Sequence, residues 1–375
     1  MNPQPRDSDR PLPRVPPKHD PAVRRIVEHW RRLLGPQDPD GARTLIACSG
    51  GADSSALVLA LRAATSDLVI AHVVHDQRPL DEALADRDAV AVLADALGLP
   101  FVEGRARAAD WPGNIEASYR RARYAELHRL ALAAGCGFVA TGHHAMDQAE
   151  SVLMALIRGS GPAGLSGIAP RRWLRSPDPH AGASVLLVRP MLATEPSDAR
   201  RLCQESGWAW QEDRTNADVS RLRARLRTHV LPPLLAARPG ALRKIGDAAT
   251  LQRRVAAAIM VDARALWRKR ETRLDAGGSL GAIAWRRDDL LSAGSPAAAV
   301  CLRRAFALLR SPQGMQRRAL AEPAGLDRLG LRHLSAVLER IEDRHAPPNL
   351  ASWSGVGLWR LGDTIELRRP TRGED

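Results

Sequence analysis

The chain has 375 residues, with 55 Lys and Arg against 42 Asp and Glu, four cysteines and a formal net charge of +13. Its length predicts two or three domains, and it holds neither an apolar run of 18 residues for a membrane helix nor an apolar leader in residues 1–20. The charge is unevenly spread: residues 1–220 carry 26 Lys and Arg against 27 Asp and Glu, and residues 221–375 carry 29 against 15, so the last two-fifths are expected to dock an anionic polymer such as nucleic acid.

Met1 to Asp20 is rich in proline, with little apolar content, and is expected to be a disordered tail. Pro21 to Leu34 has apolar residues at helical spacing. Repeated strand–helix units then follow. The strand Thr44–Cys48 leads to a helix from Ser54 to about Ala64. Strand Leu68–Val74 leads to helix Asp81–Leu97, and strand Pro100–Glu103 to helix Asn114–Ala134. Strand Gly137–Ala140 leads to helix Asp147–Arg158, and Leu186–Arg189 to helix Ser197–Ser206. This alternation predicts an α/β domain over residues 21–220, with a parallel, doubly wound, Rossmann-like sheet and its ligands at the carboxyl ends of the strands. From residue 221 the pattern changes to arginine-rich helices over Leu222–Val230, Pro239–Lys269, Ala297–Leu309 and Arg328–Asp343. A small β meander, Asn349–Trp353, Gly357–Arg360 and Thr364–Arg368, ends this mainly helical basic domain of residues 221–375.

The most informative stretch is Ser49-Gly50-Gly51-Ala52-Asp53-Ser54-Ser55, between the first strand and its helix. Two glycines let backbone N–H groups approach an anion at a helix N-terminus. Ser49, Ser54 and Ser55 add hydroxyls, and Asp53 adds a carboxylate suited to Mg²⁺ carried by a polyphosphate. No lysine follows the glycines, so this is not the G-x-x-x-x-G-K-[ST] loop. His75 and Asp76, ending the second strand, face the same edge. Glu116, Arg120 and Tyr124 share a helix face at four-residue spacing, which fits either a surface ion pair or a ligand contact. In Thr141-Gly142-His143-His144-Ala145-Met146-Asp147-Gln148-Ala149-Glu150, Asp147 and Glu150 lie on one face of a helix start. They can complement the helix dipole or bind a cation, and the histidine spacing argues against zinc. The glycine-rich run from Gly159 to Gly167 fits a lid or a flexible connector.

Together these residues resemble the tRNA(Ile)-lysidine synthetases of the ATP-pyrophosphatase superfamily. The likeness runs from about Arg43 to Pro233 and rests on SGGADS, HVVHDQR, NIEASYRRARY and TGHHAMDQAESVLMALIRGSGPAGLSGI. It continues in Arg189-Pro190-Met191-Leu192, in Glu212-Asp213-Arg214-Thr215-Asn216, and in the segment Arg223 to Arg227. Met146 and Ala224 depart from the usual family residues. The sequence also ends after the meander, without the further C-terminal domain of longer members, so the docking assigned to that domain is expected to be absent or supplied otherwise.

The resemblance implies a cytoplasmic ligase that uses ATP and Mg²⁺ to attach free L-lysine to the wobble cytidine of an isoleucine tRNA with a CAU anticodon, and it also allows a homodimer. The cytidine C2 oxygen attacks the α-phosphorus, pyrophosphate leaves, and the lysine ε-amine then attacks C2 and expels AMP. Carried onto this sequence, ATP binding falls to Ser49, Gly50, Gly51, Ala52, Asp53 and Ser54, with Mg²⁺ on Asp53. Catalysis falls to Asp53, Arg120, His143, Asp147 and Glu150, with His144 sharing the role of His143. The basic region's tRNA candidates are Arg223, Arg225, Arg227, Arg268, Lys269 and Arg270, with Arg221, Arg253 and Arg254 beside them. The arginines from 221 to 227 have period 2, so some of them are free to pair with the sheet domain.

Other classes fit less well. A 2-thiolation enzyme needs paired or catalytic cysteines, and Cys48, Cys136, Cys203 and Cys301 are far apart with no C-x-x-C, which also argues against structural zinc or iron–sulfur and for a reduced compartment. An NAD or asparagine synthetase needs no basic C-terminal region. A catalytically impaired tRNA-binding relative is motivated only by Met146 and Ala224.

Overall fold

The computed structural model describes residues 13–36, 43–75, 80–111, 115–175, 184–211, 222–275, 280–310, 331–353 and 355–369. Their contacts divide the chain into two compact units. One holds residues 1–160 and 164–250; the other holds 161–163 and 251–375. The contacts thus part within a helix, about thirty residues past the point where the charge changes.

In the first unit, α1 (Pro21–Leu34) begins where Asp20 accepts from the N–H groups of Ala22 and Val23, and it buries Val23, Ile26, Val27 and Trp30 at helical spacing. The tail expected over residues 1–20 lies outside the described residues as far as residue 12. Beyond that, the Arg14 N–H donates to the Ser206 carbonyl at 2.8 Å, and Asp20 pairs with Arg201. There follow β1 (Thr44–Ala47), α2 (Ala52–Arg62), β2 (Leu68–His75), α3 (Leu80–Ala96), β3 (Phe101–Ala106), α4 (Ile115–Ala133), β4 (Phe138–Thr141), α5 (Ala145–Ile157), the single turn α6 (Pro162–Leu165), β5 (Arg171–Leu174), β6 (Val185–Val188) and α7 (Pro196–Glu205).

The sheet order is β3-β2-β1-β4-β6-β5, parallel except for the antiparallel edge strand β5. Sequence reading misses β5, which carries two arginines and three exposed residues in place of the apolar run that marks the equally short β1, β4 and β6. Alternation within β1 explains the two-faced burial. Ile46 joins a core with residues of α1, α2, α3 and α7, while Leu45 joins one with Leu127, Leu130 and Ala131 of α4. With both faces covered, the open ground lies at the strand ends, where the loops after β1 and β4 meet.

Next come α8 (Leu222–Arg225), a π-helical turn (Leu226–Val230), α9 (Leu231–Ala237) and α10 (Ala241–Arg268), the helix within which the units divide. Leu231 and Leu242 pack with Ala145 and Ala149, so this segment is seated on α5.

The second unit adds β7 (Glu271–Leu274), β8 (Leu280–Arg286), α11 (Arg287–Ser292), α12 (Ser295–Arg310), α13 (Leu331–Glu342), β9 (Asn349–Trp353), β10 (Val356–Leu361) and β11 (Thr364–Arg368). The predicted meander is part of a five-stranded antiparallel sheet, β7-β8-β11-β10-β9. Its inner residues Ile283, Trp285, Leu358, Ile365 and Leu367 are buried with α12 and α13.

Candidate active site

The loop after β1 is built from its own hydroxyls. Gly50 takes φ of 89°, a conformation open to glycine, and turns the chain into α2. The Ser54 hydroxyl donates to the Gly51 carbonyl at 3.1 Å, accepts from the Ser49 N–H at 3.1 Å, and meets the Ser49 hydroxyl at 3.2 Å. Ser54 therefore shapes the loop rather than reaching out of it. Gly51 is the N-cap of α2, and no side chain caps this end. The first-turn N–H groups, which no bond within the helix can pair, are thus available to accept an anion. Gly142, after β4, comes so close that a Cβ there would lie 2.9 Å from the Asp53 carbonyl oxygen. This close approach brings the β1 and β4 loops together.

His144 joins the loops chemically. Its Nε2 lies 3.3 Å from Asp53 Oδ2. Its Nδ1 accepts from the Asp147 N–H at 3.4 Å, while its own N–H donates to Asp147 Oδ2 at 3.0 Å, a reciprocal cap on α5. With Nδ1 accepting, the neutral ring carries its proton on Nε2, aimed at Asp53. Burial opposes a charge on this ring, but the hydrogen bond to Asp53 and the field of Asp147 outweigh it and raise the His144 pKa. A raised folded-state value stabilises the fold fully below about pH 6.5, and that contribution fades as pH rises through the higher value. Replacing His144 by Gln is therefore expected to destabilise the protein more at pH 6 than at pH 9. Urea melts of both proteins at the two pH values check this, and equal differences would remove His144 from the linkage.

His143 behaves oppositely: burial, then the charge of Arg189, push its pKa well down and keep it neutral. Its Nδ1 lies 2.9 Å from the Thr141 hydroxyl.

Asp147 and Glu150 share one face of α5, and Glu150 is 0 % exposed. Two arginines expected among the tRNA contacts point at this pair. Arg223 Nε and Arg227 Nε each donate to Glu150 at 2.5 Å, and their Nη2 groups donate to Asp147 at 2.7 and 3.2 Å. They stand four residues apart, on α8 and the π-helical turn, so both forks reach the same carboxylates. Burial works against the Asp147 charge, but His144 and Arg223 overcome it and hold its carboxyl below the usual range.

Arg120 sits 5.1 Å from the Tyr124 ring, on the α4 face the spacing predicts. Around the same ring sequence reasoning misses Arg172 and Arg189. Arg189 directly follows β6, in a segment that carries the family resemblance but no site assignment; Arg172 lies on the unpredicted β5. Of the other candidates, Arg225, Arg254 and Arg268 are exposed, Lys269 pairs with Asp289 at 2.6 Å, and Arg270 covers the Trp267 ring at 4.6 Å. Arg253 is half-buried. The His75 side chain, Asp76, Arg221 and the stretch Glu212 to Asn216 lie outside the described residues.

Residues 24–234 match the PP-loop domain family. The chain is 39 % identical over 262 residues to the tRNA(Ile)-lysidine synthase of Salinispora tropica, spanning 68 % of this chain and 72 % of that one. It is 35 % identical over 343 residues to the tRNA(Ile)-lysidine synthase of Thermus thermophilus, covering 90 % of this chain and 58 % of the relative. Among solved structures, the U34-tRNA thiolase NcsA of Methanococcus maripaludis superposes with a TM-score of 0.47 at 17 % identity, over 62 % of this chain and 78 % of its own, a likeness too partial to bear on function. With an uncapped glycine loop, an acid pair on the neighbouring helix and this extent of identity, the chain belongs to the tRNA(Ile)-lysidine synthase family of PP-loop proteins.

Proposed function

We infer that the chain is an ATP-dependent ligase that joins lysine to C2 of the wobble cytidine of a CAU-anticodon isoleucine tRNA, through a cytidine adenylate, releasing pyrophosphate and AMP. The observation that carries this reading is the family identity, which extends over both the glycine loop and the acid pair. ATP's phosphates are assigned to the backbone of Ser49 to Ser54 and the open N-terminus of α2. Mg²⁺ fits Asp53: its side chain is 41 % exposed at the loop, and His144 engages one of its two oxygens, leaving the other as a hard ligand. That ion, when bound, would neutralise charge on the leaving pyrophosphate.

Lysine arrives protonated, with an ordinary pKa near roughly 10.4. Asp147 and Glu150 are assigned to hold its ammonium and accept a proton. Arg223 and Arg227 already occupy these oxygens, so binding requires at least one guanidinium to yield its place. Arg120 is assigned to an anionic group of a substrate, and neutral His143 to orientation of the cytidine. The homodimer is a further proposal. The function is tested by mass analysis of tRNA incubated with ATP, Mg²⁺ and labelled lysine. One lysine per tRNA with AMP released is expected; tRNA of unchanged mass would remove the assignment.

The basic region is assigned to tRNA phosphates, with the exposed Arg225 and Arg268 as its first contacts. Reversing both charges is expected to weaken all tRNAs alike and to flatten the salt dependence of binding by a slope of roughly 2. Affinities measured across a salt series check this, and an unchanged slope would make these arginines ordinary surface.

A further inference from the structure

Glycines let the turn after β1 orient its peptides either way, yet an anion is met only where the N–H groups face it. In a trans peptide the C=O of one residue and the N–H of the next point in opposite directions. Fixing a carbonyl on one side therefore fixes the following N–H on the other. Four carbonyls at this turn are fixed in that way. The Cys48 carbonyl accepts from His72 Nδ1 at 3.0 Å. The Gly50 carbonyl accepts from the Gln211 N–H at 3.0 Å. The Gly51 carbonyl accepts from the Ser54 hydroxyl at 3.1 Å and from the Ser55 N–H at 3.0 Å. The Ala52 carbonyl accepts from the Cys203 thiol at 3.4 Å. Burial, then the Asp53 charge, push the Cys203 thiol up to about 12, so it stays protonated and keeps its donor.

The Gly50–Gly51 peptide is the one whose orientation glycine leaves most open, because both of its residues lack a Cβ. Flipped, it would aim the Gly50 oxygen at the anion and withdraw the Gly51 N–H. Its lock comes from far along the chain. In α7, Ala199, Leu202 and Cys203 are buried in the core that α2 shares. Gly207, at φ 71°, ends the helix, and the Trp208 N–H donates back to the Cys203 carbonyl at 2.9 Å. Trp208 and Trp210, two residues apart, then pack against that same core and carry the chain to Gln211 at the glycine turn. The Gln211 side chain is near as well: its Cγ lies 3.8 Å from where a Cβ on Gly50 would stand. Backbone and side chain are therefore separated by experiment below.

We propose that Gln211 is a positioning residue for ATP: its backbone N–H locks the Gly50–Gly51 peptide so that the Gly51 N–H faces the phosphates. This rests on the assignment of ATP to the glycine turn and adds the residue that sets its orientation. Proline at 211 removes the N–H, whereas alanine keeps it and removes the side chain. At a temperature where both variants are folded, calorimetry on the full chain should find Mg²⁺–ATP bound roughly 3- to 10-fold more weakly by Gln211→Pro than by Gln211→Ala, the loss of one hydrogen bond. Equal affinities in the two variants would overturn the proposal. Amide exchange in the unaltered chain decides the matter even if the proline variant fails to fold. With isotope-labelled glutamine, the Gln211 signal is identified by its loss in Gln211→Ala. Saturating ATP is expected to slow exchange of that amide by a similar factor, since a nucleotide that favours the locked peptide must strengthen the bond that locks it. Exchange unchanged by bound ATP would overturn the proposal and leave the ligase reading standing. An unaltered chain that binds no ATP would remove the nucleotide assignment itself, and the lock with it.

Discussion

Glu150→Gln is expected to cost both stability and lysine use. The carboxylate is fully buried and takes two guanidinium groups at 2.5 Å. Removing the buried charge leaves Arg223 and Arg227 to share Asp147 alone, which costs about 3 kcal/mol, the low end applying because the two arginines keep that partner and remain 38 % and 33 % exposed. A domain of this size would then melt roughly 6–12 °C lower. The loss is larger than for a surface ion pair because Glu150 is fully buried, and without its charge one carboxylate, Asp147, is left to face both guanidinium groups. The catalytic consequence is separate. At a temperature where the variant is folded, the lysine concentration needed for half-maximal rate should rise while tRNA binding persists. Calorimetry and a lysine titration measure the two effects independently. Lowered ATP affinity with an unchanged lysine requirement would show that the acid pair serves the nucleotide.

The sheet domain was legible because its signals are local. Short apolar runs, each followed by a run of helix-forming residues, place every parallel strand within a few residues of its true span. The loop from Ser49 to Ser55 is visible because close anion contact restricts the residues that fit. β5, β7 and β8 were not legible: β5 and β7 are exposed and polar, and all three pair with partners that no local pattern announces. The same limit applies to the site. Spacing puts Asp147 and Glu150 on one face, but that Arg223 and Arg227 lie on them depends on packing some seventy residues apart. The period-2 arginines looked like candidates for phosphate. Folding onto α5 sorts them by geometry, turning Arg223 and Arg227 inward to the acids and leaving Arg225 exposed.

Asp53→Ala is expected to abolish adenylate formation, and Asp53→Asn tells why. Asp53 has two tasks that one carboxylate performs together. It faces His144 Nε2 at 3.3 Å, tying α2 to the capped start of α5, and it offers a negative oxygen at the glycine loop. Alanine loses both. Asparagine keeps an oxygen that can accept from the histidine but carries no charge for a metal. If charge at the loop is what matters, both variants should lose at least ~100-fold in adenylate formation, the loss seen when one preorganised electrostatic contact is removed. If tying the loops is what matters, Asn should retain most of the activity. The two cases also differ at His144, whose raised pKa depends on the Asp53 hydrogen bond. Asn removes the neighbouring charge, so the His144 titration should move down in the folded protein whichever task governs turnover. Adenylate formation measured by ATP–pyrophosphate exchange in the presence of tRNA, beside an NMR titration of His144, separates the cases. Near-normal exchange in Asp53→Ala would remove Asp53 from the chemistry, and the uncapped N-terminus of α2 would then have to hold the triphosphate without it.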